Sequence, residues 1–379
     1  LGYIVTATFL PVIARQALPG SVWLDLFWPL LGLGVALGAF LSTRLPHHID
    51  RRRLLMGCYA MQATGVLLGV WWPSLAGFAL GSLLLAELTG RTPIVYWGSN
   101  SLFRSPDTDN AFEHYFRPVS PFTLDDLNTL LPDDARVYPA KWRRDNLRQE
   151  ELLKWEGPGS RLSGMYLLHR DEELVVSDYH SKVNDLMRWI PPGSPWHGLN
   201  RHQIYRALVR KYLHLQPHMV QKLDALWQQH LASDQWLAVH VRGTDKVLEM
   251  NQLDALNQAY HGSIDKILSV NGHLRIFLLT DSQDVLADFQ NRWKDRVFYL
   301  DCQRGQGIQG VHLEGHPGLT MGEQVLTDCY LAARCDMFLG NGASNVSTGI
   351  RHLKDWPAGS YFLLGQDFLG QIDTSLHEW

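Results

Sequence analysis

The side chains best suited to chemistry gather in short strings, each directly behind an apolar run. The first is His240-Val241-Arg242-Gly243-Thr244-Asp245-Lys246, which follows Trp236–Val241. A guanidinium at the end of such a run can fork onto two oxygens of a phosphate. Gly243 lets the backbone approach a ligand closely, and Asp245 and Lys246 can orient neighbours or a leaving group. The second string is Thr280-Asp281-Ser282, behind Phe277–Leu279. A carboxylate there can accept from ribose hydroxyls or a base, or it can cap the next helix. The third is Gly340-Asn341-Gly342-Ala343-Ser344-Asn345-Val346-Ser347, behind Met337–Leu339. This amide-rich turn opens a helix, whose N-terminus favours a phosphate; a plain turn with a Ser or Asn cap is the simpler alternative. Asp328 sits in the preceding helix, as a ligand contact or as a buried structural carboxylate.

These strings need a frame that brings them together. Apolar spacing predicts strands at Ile94–Trp97, Trp236–Val241, Arg275–Thr280, Val297–Leu300, Asp336–Leu339 and Tyr361–Leu364. Helices are expected at Asp254–Val270, Gln283–Trp293, Met321–Arg334 and Asn345–His352, and over His202–Leu231 with a break at Pro217. Strands alternating with helices imply an α/β fold with a parallel sheet covered on both faces. Ligands of such sheets bind at the carboxyl ends of the strands, where the three strings fall.

The first ninety residues differ in kind. No charged residue lies between Arg53 and Glu87, and Leu54–Trp72, Ser74–Ala86 and Leu26–Leu41 read as apolar segments. Each approaches the ~20 residues that cross a hydrocarbon core, Ser74–Ala86 being the shortest. The Gly32, Gly34 and Gly38 spacing suits close helix packing. The basic loop Arg44–Arg53 belongs on the cytoplasmic side, so Leu54–Trp72 would run outward and Ser74–Glu87 would return. A cytoplasmic-membrane protein with a cytoplasmic catalytic part is the expectation. Gly2–Arg15, Phe27–Phe40 and the Asp50–Arg53 loop resemble part of a major facilitator superfamily transporter, short of the two halves that transport needs.

The strings from His240–Lys246, Thr280-Asp281, Asp328 and Cys335–Ser347 together resemble the α1,6-fucosyltransferase and NodZ-like group of the fucosyltransferase superfamily. The resemblance spans about 236–350 closely and 92–235 loosely; Phe112–Pro118 is similar to an aromatic segment of bacterial relatives. It implies a two-domain GT-B-like fold with a Rossmann-like C-terminal part, inversion at the anomeric carbon, and no metal or cofactor. Residues 1–91 would be a transmembrane segment, 92–233 an acceptor-side domain and 234–379 the GDP-sugar domain. Arg242 would grip the GDP phosphates and His240 would support the nucleotide. Gly243, Lys246 and Asp245 would organise the phosphate and acceptor side. Asp281 and Asp328 would hold guanine or ribose, and Ser344 with Asn345 a phosphate. Gly243 stands where that group carries a second Arg, and Met250 where it carries a Glu, so Glu249 is the candidate base.

The expected partners are therefore a GDP-fucose donor, a glycan or other hydroxyl acceptor, and membrane lipid along 1–91. Of 38 acidic and 34 basic residues, three and six fall in 1–91, leaving 35 and 28 in the remainder. That acidic balance argues against nucleic acid. Cys58, Cys302, Cys329 and Cys335 form no CxxC pair, no HExxH or Walker A string occurs, and Asp107-Thr108-Asp109 lies in a loop far from the cluster. Trp97, Trp142 and Trp196 can stack on a sugar or fill the core. Two rivals remain: another nucleotide-sugar donor, or a transporter fragment with a non-catalytic sugar-binding tail.

Overall fold

The structure, a computed structural model, describes residues 77–98, 103–105, 107–149, 164–178, 181–242, 253–302, 304–305, 318–342 and 344–364. Contacts divide the chain into one unit of residues 1–73 with 367–379 and another of residues 74–366. The expected spans Leu26–Leu41 and Leu54–Trp72, the Gly32–Gly38 pattern and Cys58 lie outside the described residues.

The third expected span is corrected. Helix α1, Gly77–Thr89, has 13 residues, roughly 20 Å at 1.5 Å per residue, against the ~30 Å of a hydrocarbon core. Leu80, Leu83, Leu84 and Leu85 are buried in the core shared with the sheet, and Glu87 bonds Lys211 and Tyr212. A Cβ on Gly81 would stand 1.6 Å from the Ser181 carbonyl oxygen, so this helix lies directly on backbone. Among the described residues no helix is long and apolar enough to cross a membrane. The return crossing that placed the catalytic part in the cytoplasm is thus a core helix, and the loop-charge argument loses that step.

The next stretch is mostly helices and turns. Ile94–Trp97 is not a strand: the Asn110 side chain accepts from Trp97 N and donates to Val95 O at 2.9 Å each, taking the place of a neighbouring strand. Asn110 also caps α2, Ala111–Tyr115. A short α3, Leu127–Leu130, precedes β1, Val137–Tyr138, which pairs in parallel with β2, Leu174–Val175. After α4, Val183–Met187, comes α5, Arg201–Tyr212, opened by a reciprocal Asn200–Gln203 cap. Ile204 and Leu208, one turn apart, are fully buried. Pro217 starts α6, Pro217–Leu226, at the position where its missing N–H costs nothing.

The frame is a five-stranded parallel sheet. Its members are β3 (Trp236–Val241), β4 (Arg275–Thr280), β5 (Val297–Phe298), β6 (Met337–Asn341) and β7 (Tyr361–Leu364), in the order β5-β4-β3-β6-β7. Helices α7 (Leu253–Val270), α8 (Gln283–Trp293), α9 (Gly318–Arg334) and α10 (Asn345–Leu353) alternate with them. Side chains alternate across the pleat. Trp236, Ala238, Phe277 and Phe338 join the core beneath α1, α5 and α9, while Leu237, Val239, Ile276 and Leu278 join Tyr260, Ile264 and Phe289 on the other face. The α/β class with both faces covered is as expected. Contacts group residues 74–366 in one unit, and buried side chains from Leu80 to Leu231 join the sheet's core.

Candidate functional site: the carboxyl ends of β3, β4 and β6

Strand β3 is central. From it the chain steps outward through β4 and β5, then returns to place β6 and β7 on the opposite side. The order reverses between β3 and β6, and a parallel sheet opens a ligand crevice at such a point. The register pairs Val241 with Thr280, so the next residue of each strand, Arg242 and Asp281, must be neighbours. Arg242 Nε lies 3.1 Å from Asp281 Oδ2, with side chains 15% and 22% exposed. The helix cap that Asp281 was free to supply comes instead from Ser282, which accepts from Val285 N. Asp281 is thereby left to the guanidinium.

Across the switch point His240 is buried, and its Nδ1 lies 2.7 Å from Ser347 Oγ. The same hydroxyl accepts from Asn341 N at 3.0 Å, and Tyr260 donates to His240 O at 2.7 Å. The ring therefore braces β3 against the first turn of α10. Gly340 permits that approach: a Cβ there would lie 2.5 Å from both Ser347 Oγ and the Phe338 ring. Ser344 holds the N-cap position of α10 without a capping side-chain hydrogen bond. The first-turn amides at Asn345 so lack that partner, which suits an incoming anion.

Asp328 on α9 is half-buried, and burial pushes its carboxyl up to about 7, with the Arg304 charge acting in the opposite direction. Burial, then Asp328, raises the Cys302 thiol to about 11, with Asp301 and Asp281 adding to the shift. These groups share one neighbourhood because Gly305 N donates to Asp281 O at 2.9 Å and Gln283 N to Gly305 O at 3.2 Å. The chain behind β5 is thus tied to the end of β4. Arg304 Nη1 and Nη2 donate to the carbonyls of Cys302 and Leu300.

The structure thus brings Arg242, Asp281, His240, Ser344, Asn345 and Asp328 to the carboxyl end of one sheet. Gly243, Asp245, Lys246 and Glu249 lie outside the described residues. Sequence reasoning named Asn341 and Ser347 only as members of the third string, without roles of their own, and missed Arg304 and Asp301. Arg304 follows an expected strand by four residues, so the rule applied to the other strands would have found it. The partnership of Ser347 with His240 follows from β6 lying beside β3.

The discounted signals fall elsewhere. Asp109 accepts from Tyr96 and pairs with Arg148. Trp142 and Trp196 are buried, and Trp97 packs edge-on against Phe112, so all three serve the core. The fold also assembles a group without sequence spacing: ligand atoms of His114, His218 and Glu323 lie within 4.8 Å of one another. Lys222 Nζ and His114 Nε2 already share that carboxylate, at 2.8 and 2.9 Å.

Fold and site define a parallel α/β unit with Arg242, Asp281 and the start of α10 at its switch point. A family described as the uncharacterised MFS-type transporter YbfB matches residues 1–95. No curated protein matches the chain. Among solved structures, the Bradyrhizobium fucosyltransferase NodZ is 22% identical, with 73% of this chain and 86% of that one covered and a TM-score of 0.46. Arabidopsis thaliana FUT1 in complex with GDP gives 13%, 76%, 68% and 0.44. POFUT1 in complex with GDP-fucose gives 14%, 77%, 95% and 0.43. At these scores the likenesses carry no argument, and the fold rests on the strand order and register above.

Proposed function

We propose that the unit of residues 74–366 transfers a sugar, fucose in the first instance, from a GDP-sugar to an acceptor hydroxyl by inverting displacement without a metal. The observation that carries this reading is Arg242. It ends the central strand at the switch point, clasped to Asp281 and beside the uncapped start of α10. Phosphate oxygens would take the guanidinium and the α10 amides, while Asp281 turns to a ribose or base hydroxyl. With its pKa raised to about 7, the Asp328 carboxyl is partly protonated near neutral pH and can donate as well as accept, which suits a ribose or guanine edge.

In the displacement, the acceptor oxygen forms the bond to the anomeric carbon as the bond from that carbon to the β-phosphate oxygen breaks. The electron pair leaves with GDP, where Arg242 meets the growing charge. The acceptor proton passes to a carboxylate, for which Glu249 is the candidate. The donor class is supported by the HVRGTDK string behind β3.

The test is turnover of GDP-fucose by the full chain, with UDP-sugars as competitors. Arg242→Ala should lower turnover by roughly 10²–10³, the scale of losing one charge-stabilising donor, while its melting temperature stays near that of the wild type. Full activity in that variant, or a wild-type protein indifferent to guanosine nucleotides, would overturn the reading.

A further inference from the structure

A cavity of about 280 Å³ opens at the opposite end of the sheet from Arg242. Lys354 marks its position by donating to Cys335 O at 2.6 Å, just before β6, and Tyr361 begins β7. His202 and Arg206 of α5 line one side, and Arg351, Lys354, Trp356 and Tyr361 the other. Its single acidic lining residue, Asp355, is paired with Arg206.

Arg351 is half-buried, and among the described residues no carboxylate pairs with it; its guanidinium rests 5.6 Å from the Tyr361 ring centroid. Burial above all, with the nearby Arg201 acting the same way, makes its charged state less favourable. The rings of His202 and His352 lie 5.3 Å apart, and both Nδ1 atoms are buried without a hydrogen-bond partner. A charge taken from water without a counter-ion is costly, and buried polar atoms are rarely left unbonded. Two of these groups, Arg351 and His202, line the cavity, and the His352 ring lies against His202.

We propose that this cavity binds a small oxyanion, the phosphate group of a monosaccharide-sized ester. Arg351 forks onto the anion and His202 donates to it, with the His352 ring packed against His202. A bare phosphate fills only part of the space, and the Trp356 and Tyr361 faces suit a sugar ring. The site stands apart from the proposed transfer chemistry and does not depend on it.

Proton uptake distinguishes this site from ordinary surface binding. Burial pushes His202 down to about 4 and His352 down to about 3, with Arg201, Arg206 and Arg351 acting in the same direction. Tyr205 stacks on His352 at 4.6 Å, and Lys354, Asp355 and Tyr361 line the cavity beside His202. A bound anion raises both histidines, so binding draws in protons at a pH below about 6.5, the ordinary histidine value.

The experiment is calorimetry on the full chain at mildly acid pH, in two buffers of different ionisation enthalpy. Sulfate is the first probe, because it does not titrate there. Sulfate should bind with net proton uptake. Arg351→Met should weaken it at least tenfold and raise the melting temperature of the anion-free protein, because the unpaired charge is gone. His202→Leu, which keeps a packed side chain, should bind with less proton uptake. A hexose phosphate binding more tightly than inorganic phosphate supports the ester, and equal affinities overturn the ester in favour of the free anion. Unchanged sulfate binding in Arg351→Met, or unchanged proton uptake in His202→Leu, overturns the proposal as a whole.

Discussion

Helix α1, apolar but for Glu87, and strand β3 both contribute side chains to the core that holds Trp236 and Ala238, yet the sequence reads them with unequal success. Trp236–Val241 is expected as a strand and is one, residue for residue. Ser74–Ala86 is expected as a membrane crossing, and Gly77–Thr89 instead packs beneath the sheet. A helix apolar on all sides satisfies a bilayer and a protein interior equally. For β3 no such ambiguity exists, because a six-residue strand has no membrane alternative as a lone element. Periodicity therefore names the element, while the identity of its surroundings is a separate fact.

The sharpest way to break this comparison is Gly81→Leu. The added side chain must displace the Ser181 backbone, which cannot yield as a flexible side chain does. The expected outcome is a loss of about 3 kcal/mol or more, read as a collapse of folded yield or of the urea midpoint. A span exposed to lipid would tolerate the change, so a neutral result returns α1 to the membrane.

Gly340→Ala probes the sheet side of the same contrast. Its Cβ meets Ser347 Oγ and Phe338 at 2.5 Å, and the predicted cost is about 1–3 kcal/mol. GDP binding should weaken with it, because Ser347 is pushed from His240. Lost stability with unchanged GDP affinity would separate that brace from the nucleotide site.

The smallest effect concerns Asp328. Its folded pKa is raised to about 7, so between roughly 4 and 7 the folded state holds more protons than the unfolded chain. Its contribution is fully present at low pH and is lost as pH rises through that window. Asp328→Asn should remove this slope, measured as melting temperature against pH. An identical slope in the variant would show the carboxyl to be ionised in the folded protein.

Much of the site was legible because strand ends are local features. Arg242 and Asp281 follow apolar runs whose length and bounds are written in the residues themselves. Their partnership was not legible, since it follows from Val241 lying opposite Thr280. The role of Asp281 was open between cap and ligand until Ser282 was seen to take the cap. Ile94–Trp97 misled because Asn110, thirteen residues or more away, supplies hydrogen bonds that a strand would otherwise need.

By itself the sequence determined the alternation of strands and helices from residue 236 onward, the break at Pro217, and the placement of polar strings behind apolar runs. These depend on side-chain periodicity and on the local backbone limits of proline and glycine. Register and packing alone place α1 in the core, Ser347 against His240, and Arg351 with His202 on one cavity. Such facts depend on strand order, register and helix approach, which are settled by the packing of residues far apart in the chain.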